Sequence, residues 1–347
     1  MILRLAIIGF GNVGQEFARM LLSRRDWLLK SKGLDVEVLA IATKSKGCLV
    51  SKKALDLDRA LTEMMNEGSL KSYGHEVTDL NPLKMIKDCD ADIMVELSPL
   101  NIESGQPAID HIRAAMESGM DVITANKGPV AFAYRNLRNT ARSNGVRFRY
   151  EGTVMDGTPI FSLVERTLPG CEILGLKGIL NSTSNFVLTE MSNGKSMEHA
   201  IELAQEGGFA ETDPSLDIDG WDAAAKITAL ANVMMDADAN PKLVDRIGVR
   251  EVTVEEIGKA SAQGKKIKLI AEATRESGGV KLEVKPRLID SQNVFWTIDG
   301  TSSALTIRSD LMGDITISGG NPGLTQTAYA VFSDMLLIVE SIRAGTL

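Results

Sequence analysis

The chain has 347 residues, 44% of them hydrophobic and 24% charged, as expected of a soluble globular protein large enough for about two domains. Its net charge of −8, from 38 basic and 46 acidic residues with no extended basic cluster, excludes nucleic acid as an expected partner. No apolar run reaches the length of a membrane span, which excludes a membrane partner.

Residues 2–8, ILRLAII, read as a buried strand. The chain begins directly with this strand pattern, with no signal-peptide features, and Cys48, Cys89 and Cys171 have no metal-type spacing. A reducing cytoplasm is therefore the expected location. Gly9, Phe10, Gly11, Asn12, Val13 and Gly14 follow at once, and a helix is expected over 15–23. This is G-x-G-x-x-G between strand and helix, the setting in which it binds a dinucleotide. Gly9 permits the turn, Gly11 lets the backbone approach a pyrophosphate, and Gly14 lets helix and strand pack. The helix N-terminus offers N–H groups to the phosphates.

A second strand is expected over 36–42. It ends in Thr43, Lys44, Ser45 and Lys46, where an NAD-binding chain would carry a carboxylate for the ribose hydroxyls. Two lysines and two hydroxyls suit a 2′-phosphate, so NADP is preferred over NAD. Helices at 57–67, 82–89, 106–117 and 131–143 then alternate with strands at 92–97, 121–124 and 146–150. That rhythm predicts an α/β, Rossmann-type, doubly wound parallel sheet over 1–150. Ligands of such sheets sit beyond the carboxyl ends of the strands. There the sequence places the glycine loop, Ser98 after one strand, and Lys127 of ITANKGPVA after the next.

After Tyr150 the pattern changes to an α+β mixture over 151–318, a second domain for substrate binding and dimerisation. EGTVMDGTP (151–159) is a glycine-rich turn. A strand at 173–180 ends in Asn181-Ser182-Thr183-Ser184-Asn185, small polar residues suited to a ligand or to capping the next helix. Helices are expected at 160–166, 186–191 and 197–206. GGFAETDPSLDIDGWDAAAK (207–226) then packs Glu211, Asp213, Asp217, Asp219 and Asp222 ahead of Lys226. Pro214 and Gly220 keep the acidic part in a loop. From about Gly220 a helix runs on, and Asp222 and Lys226 are i,i+4 neighbours on it. Acidic runs are usually solvated surface. Here AAAKITALA is too apolar and small to face water all round, so Lys226 is expected at the edge of a buried face beside a carboxylate. A proton-transfer or amino-acid-binding site needs that arrangement.

A helix is expected at 254–262 and strands at 266–273, 280–286, 304–307 and 315–318. A final helix from about 325 completes the first domain with residues 319–347. Apolar edges of the 266–286 strands would be exposed in a monomer, which predicts a homodimer built on the second domain. His75, His111 and His199 are scattered, fit surface or helix positions, and form neither a triad nor a zinc site.

With GFGNVG, TANKGPVA, NSTSN and GGFAETDPSLDIDGWDAAAK quoted together, the chain resembles homoserine dehydrogenases along nearly its whole length. The resemblance implies NAD(P)-dependent interconversion of L-homoserine and L-aspartate 4-semialdehyde, on the route to threonine, methionine and isoleucine. It implies that Lys127 and Lys226 are the two active-site lysines, with Asp222 beside the second. Glu211, Asp217 and Asp222 would bind homoserine, together with Asn181 and Thr183. The main-chain carbonyls of Glu151, Val154, Asp156 and Thr158 would hold a sodium ion, and Gly323 would lie near the cofactor. NSTSN stands where Asn-Gly-Thr-Thr-Asn is usual, and GNPGL (320–324) where the family has small residues. The end at Leu347 is expected to leave no regulatory amino-acid-binding domain.

Two other readings compete. Another two-domain amino-acid or semialdehyde dehydrogenase would share the glycine loop, but an acylating one needs a nucleophilic cysteine, and Cys171 in LPGCEI is in no such setting. A non-catalytic nucleotide-sensing protein would keep the glycine loop without needing Lys127, Asp222 and Lys226.

Overall fold

A computed structural model describes residues 1–320 and 322–346. The described chain divides into two compact units, 1–159 with 323–346, and 160–320 with Pro322. Asn321 of the GNPGL turn, and Leu347, lie outside the described residues. The Glu151–Pro159 turn, assigned by sequence to the second domain, lies in the first unit.

The first unit is a seven-stranded sheet among the described residues. Its strands are β1 (Ile2–Ile8), β2 (Asp35–Ala42), β3 (Cys48–Val50), β4 (Val77–Thr78), β5 (Ile93–Glu96), β6 (Asp121–Thr124) and β7 (Phe148–Arg149), in the order β4-β3-β2-β1-β5-β6-β7. From β2 to β7 the pairings are parallel, as buried apolar runs joined by helices require. The sheet is not parallel throughout: β3 pairs antiparallel with β2, and β4 with β3. Those strands of three and two residues are too short to leave an alternation in the sequence. Helices α1 (Asn12–Lys32), α2 (Leu57–Asn66), α3 (Pro82–Asp88), α4 (Ala108–Glu117) and α5 (Lys127–Ser143) connect the strands. α1 runs nine residues beyond the expected end at Ser23, until Gly33 closes it in a left-handed conformation.

The second unit is a six-stranded sheet among the described residues, ordered β13-β12-β8-β10-β11-β9. It comprises β8 (Ile173–Ile179), β9 (Asp245–Arg246), β10 (Lys265–Glu276), β11 (Gly279–Asp290), β12 (Ser303–Ser309) and β13 (Gly313–Gly319). Its helices are α6 (Phe161–Thr167), α7 (Ser182–Ser192), α8 (Met197–Glu206), α9 (Ser215–Ile218), α10 (Trp221–Met234) and α11 (Val254–Ala262). β10 is paired on both sides, with β8 and β11, and β11 also meets β9. Of the 266–286 strands, β10 is therefore interior, while β11 is paired on its outer side only at Glu283 and Val284 with the two-residue β9; β13 and β9 end the strand order.

Helix α12 (Leu324–Ala344) belongs to the first unit. It buries Val331, Met335 and Ile338 in the same core as Phe17, Leu21 and Leu28 of α1. Each such aliphatic or aromatic side chain, fully buried, contributes roughly 1.5–3 kcal/mol. Thr325 and Arg343 add hydrogen bonds to Glu16 and to the Lys32 carbonyl.

Candidate active site

The nucleotide cradle in the first unit is set by three glycines. Gly9 has φ +95°, and a Cβ there would lie 2.5 Å from the Leu97 carbonyl and 2.7 Å from the Ser98 nitrogen. A Cβ on Gly14 would lie 2.4 Å from the Gly9 carbonyl oxygen, so any side chain there would force α1 away from the turn. Around Gly11 nothing lies within 4 Å of a Cβ. That open approach at the start of a helix is the feature a pyrophosphate needs, so the residues present fit the dinucleotide. Asn12 is exposed and Val13 half-buried. Phe10 is 1% exposed and belongs to the core, which leaves only its main chain for a ligand.

At the end of β2, the Thr43 hydroxyl donates to the Gly47 carbonyl at 2.8 Å and accepts the Lys46 N–H at 2.8 Å. Thr43 therefore builds the turn, while Lys44 and Lys46 are exposed on it. At the end of β6, Asn126 caps α5 by accepting the Gly128 N–H at 2.9 Å, and its amide donates to the Ser98 carbonyl at 2.9 Å. Lys127 is the first residue of that helix and is half-buried. The expected helix start at Ala131 was four residues late; the Asn126 cap, followed by Pro129, marked the true start. Helical geometry breaks at Ala133 (φ −143°, ψ 18°).

In the second unit β8 ends at Ile179, and Leu180 and Asn181 lead into α7. The Asn181 side-chain oxygen accepts the Ser184 N–H at 2.7 Å, capping α7, while its amide donates to Asp217 at 2.6 Å and Asp222 at 2.9 Å. Capping and ligand-site readings of NSTSN were alternatives in the sequence; this residue caps the helix and also joins the carboxylates. The Lys226 Nζ lies 2.8 Å from Asp222 and donates to the Leu180 carbonyl at 2.9 Å. Lys226 sits on α10 between buried Ala225 and Ile227, its side chain 15% exposed. This is the edge-of-a-buried-face position that AAAKITALA implied. Burial and the neighbouring Asp222 charge push the Asp217 carboxyl above its ordinary value, with Asn181, Lys226 and Thr183 opposing. Thr183 also donates to the Phe209 carbonyl.

Not every expected residue joins this cluster. Glu211 is exposed, and its contact is a main-chain carbonyl that accepts from Gln205. Asp217 lies in the one-turn helix α9 rather than in an open loop, and Asp219 pairs with Arg250. His111, expected on a surface or helix, is on helix α4 but only 5% exposed, 3.6 Å from the fully buried Glu96.

The Glu151–Thr158 segment forms two 3-10 turns, Glu151–Thr153 and Met155–Gly157. Met155, Asp156 and Gly157 have φ of 49°, 51° and 83°, and a Cβ on Gly157 would strike Ala330 of α12. Left-handed non-glycine residues in succession are costly and cluster at ligand clamps. Gly323 is the extended residue before α12.

A glycine cradle on a doubly wound sheet, with a lysine–carboxylate cluster on a second sheet unit, defines a two-domain dinucleotide-dependent oxidoreductase. Two family models match the chain: homoserine dehydrogenase over residues 159–336, and the homoserine dehydrogenase NAD-binding domain over 9–151. The homoserine dehydrogenase of Methanocaldococcus jannaschii is 37% identical over 341 residues, 97% of this chain and 98% of its own length. An NAD(+)-dependent homoserine dehydrogenase of Pseudomonas canavaninivorans is 35% identical over 339 residues, 97% of this chain and 96% of its own. Among solved structures, a hyperthermophilic archaeal homoserine dehydrogenase in complex with NADPH superposes with a TM-score of 0.83 at 31% identity, over 98% of each chain. The chain belongs to the homoserine dehydrogenase family, and its activity is NAD(P)-dependent homoserine dehydrogenase activity. Among the described residues no helix is long and apolar enough to cross a membrane.

Proposed function

We propose that Lys226 is the proton-transfer group in the interconversion of L-homoserine and L-aspartate 4-semialdehyde. The observation that carries this reading is the Lys226 amine held between Asp222 and the Leu180 carbonyl, inside a cluster closed by Asn181 and Asp217. Bound dinucleotide supplies or takes up the hydride at the nicotinamide ring. In reduction, the Lys226 ammonium donates a proton to the oxygen that becomes the hydroxyl. In oxidation, the same amine, deprotonated, takes that proton back. Lys127 orients the reacting oxygen. Asp217 and Asp222 receive the substrate's ammonium group, assisted by Asn181 and Thr183, and the exposed Glu211, outside that cluster, is assigned to homoserine by the family resemblance. The raised Asp217 carboxyl supports this role, because an incoming ammonium would offset both the buried charge and the Asp222 repulsion.

For the cofactor, Gly9, Gly11 and Gly14 with the main chain of Phe10, Asn12 and Val13 would hold the pyrophosphate, and Ser98 and Gly323 would lie near the bound dinucleotide. NADP is the preferred dinucleotide: Lys44 and Lys46 are exposed after β2, where no acid stands. Thr43 shapes that turn. The left-handed turn supports a sodium ion on the carbonyls of Glu151, Val154, Asp156 and Thr158. The assembly is a cytoplasmic homodimer built on the second unit. Sedimentation at micromolar concentration tests it, and a monomer there rejects it. The catalytic reading is tested by following absorbance of the reduced cofactor with homoserine, with each dinucleotide, for the unsubstituted enzyme and Lys226→Ala. Unchanged turnover in the variant rejects it.

A further inference from the structure

Glu96 is the last residue of β5 and is fully buried, paired in register with Ile8 of β1 and Thr124 of β6. The three residues before it, Ile93, Met94 and Val95, are apolar and equally buried. A carboxylate in such a place costs several kcal/mol of desolvation unless it is well paired. An apolar residue would serve the core better, so its partners show what it does there. The Ser98 hydroxyl and the Ser98 N–H both donate to Glu96 Oε1. On the other side the His111 Nδ1 of α4 stands 3.6 Å from the same oxygen, with no hydrogen-bond partner of its own. Thr124 donates to the Glu96 carbonyl at 2.9 Å and accepts the Asn126 N–H at 3.0 Å. The Asn126 amide returns to the Ser98 carbonyl. The group is a closed ring of contacts linking the turn after β5 to the start of α5.

That turn is the one against which Gly9 packs, with room for no Cβ. The residue after Asn126 is Lys127. We infer that Glu96, faced by His111, is a positioning residue: it touches neither substrate nor cofactor, but fixes the Ser98 turn and through it the wall of the dinucleotide cradle. The inference rests on the assignment of Ser98 to the cofactor site made above. A charged acceptor makes a hydrogen bond roughly twice as strong as a neutral one. Glu96→Gln keeps the shape but loses that strength and the charge facing His111.

The test is a double-mutant cycle on dinucleotide affinity, read by fluorescence titration of Glu96→Gln, Ser98→Ala and the double variant, with the KM for homoserine measured alongside. Glu96→Gln is expected to weaken dinucleotide binding on the order of tenfold, since displacement of a positioning group by about an ångström is costly. The KM for homoserine stays within about twofold. The double variant is expected to bind more weakly than Ser98→Ala alone, but by a clearly smaller factor than Glu96→Gln costs the parent, because the two groups are coupled through the Ser98 hydroxyl while the Ser98 N–H bond remains. A destabilised core would give no such dependence on Ser98. Should Glu96→Gln fail to fold, His111→Gln, which leaves the carboxylate in place, is expected to weaken binding by about threefold with the same non-additivity. Wild-type affinity in the Glu96 or His111 variant, or effects that add fully, overturns the inference. Wild-type affinity in Ser98→Ala overturns the assignment of Ser98 itself, and the inference with it.

Discussion

Lys226 and Lys268 each meet a carboxylate at 2.8 Å, and each is joined to an asparagine at the start of α7. Asn181 donates to Asp222, the partner of Lys226; one helical turn later, Asn185 accepts directly from Lys268 at 2.9 Å. The difference is what surrounds each amine. The Lys268 side chain is 2% exposed and its three donors go to Asn185, Asp299 and the Ile298 carbonyl. The Asn185 amide then binds the carbonyls of Ile298, Gly300 and Ser302, tying the 298–302 loop to the helix. Lys226 is 15% exposed and borders a second, half-buried carboxyl, Asp217, whose ionisation is opposed by desolvation and by Asp222. Similar parts make two different groups: a buried amine whose half-exposed partner Asp299 also pairs with Lys266, and an amine beside two carboxyls, Asp222 and Asp217, whose charges repel. An ion pair is thus informative about function through the other charges gathered around it.

The comparison breaks if the two lysines respond alike to truncation. Lys226→Ala is expected to lower kcat on the order of 10²–10⁴-fold, with dinucleotide affinity unchanged; steady-state rates and a binding titration check it. Lys268→Ala is expected to leave the kcat of folded enzyme nearly intact but to cost roughly 1–3 kcal/mol of stability, because the Asn185 side-chain oxygen and the Ile298 carbonyl lose a buried donor while Asp299 keeps Lys266. Urea unfolding measures that cost. Asp217→Asn sharpens the contrast within the cluster. It is expected to raise stability by about 0.5–2 kcal/mol while raising the KM for homoserine. The sign follows from the raised Asp217 carboxyl. Between its ordinary and its raised value the folded protein holds a proton that the unfolded chain releases, so this group's contribution to stability falls as pH rises through that window. The difference in Tm between variant and parent should therefore grow with pH across the acidic range. The smallest effect is expected for the exposed Lys44: Lys44→Asp should weaken NADP binding more than NAD binding, and an unsubstituted enzyme clearly more efficient with NAD contradicts the preference.

Local spacing made much of this readable in the sequence. The glycine cradle follows a strand and opens a helix, so its residues are close in the chain as well as in space. Asp222 and Lys226 are one helical turn apart, and the small residues around them announced a buried face. What was not readable depends on distant pairing. Nothing near Lys268 identifies Asp299 or Asn185, 31 and 83 residues away, as its partners. His111 is one of three scattered histidines in the sequence and Glu96 an unremarked position of the expected 92–97 strand; only the packing of α4 on β5 brings them together. The strands β3 and β4 are too short to show a period. Glu211 was read with the other acids because it shares their stretch, yet its backbone, not its carboxylate, is what the local fold engages.

The claim that Lys226 moves the proton is tested most directly by turnover of Lys226→Ala at saturating substrate and dinucleotide, with and without ethylamine. The account predicts turnover reduced on the order of 10²–10⁴-fold without the amine, rising in proportion to added ethylammonium as the small cation supplies the missing proton. Turnover near that of the unsubstituted enzyme without any amine would contradict it.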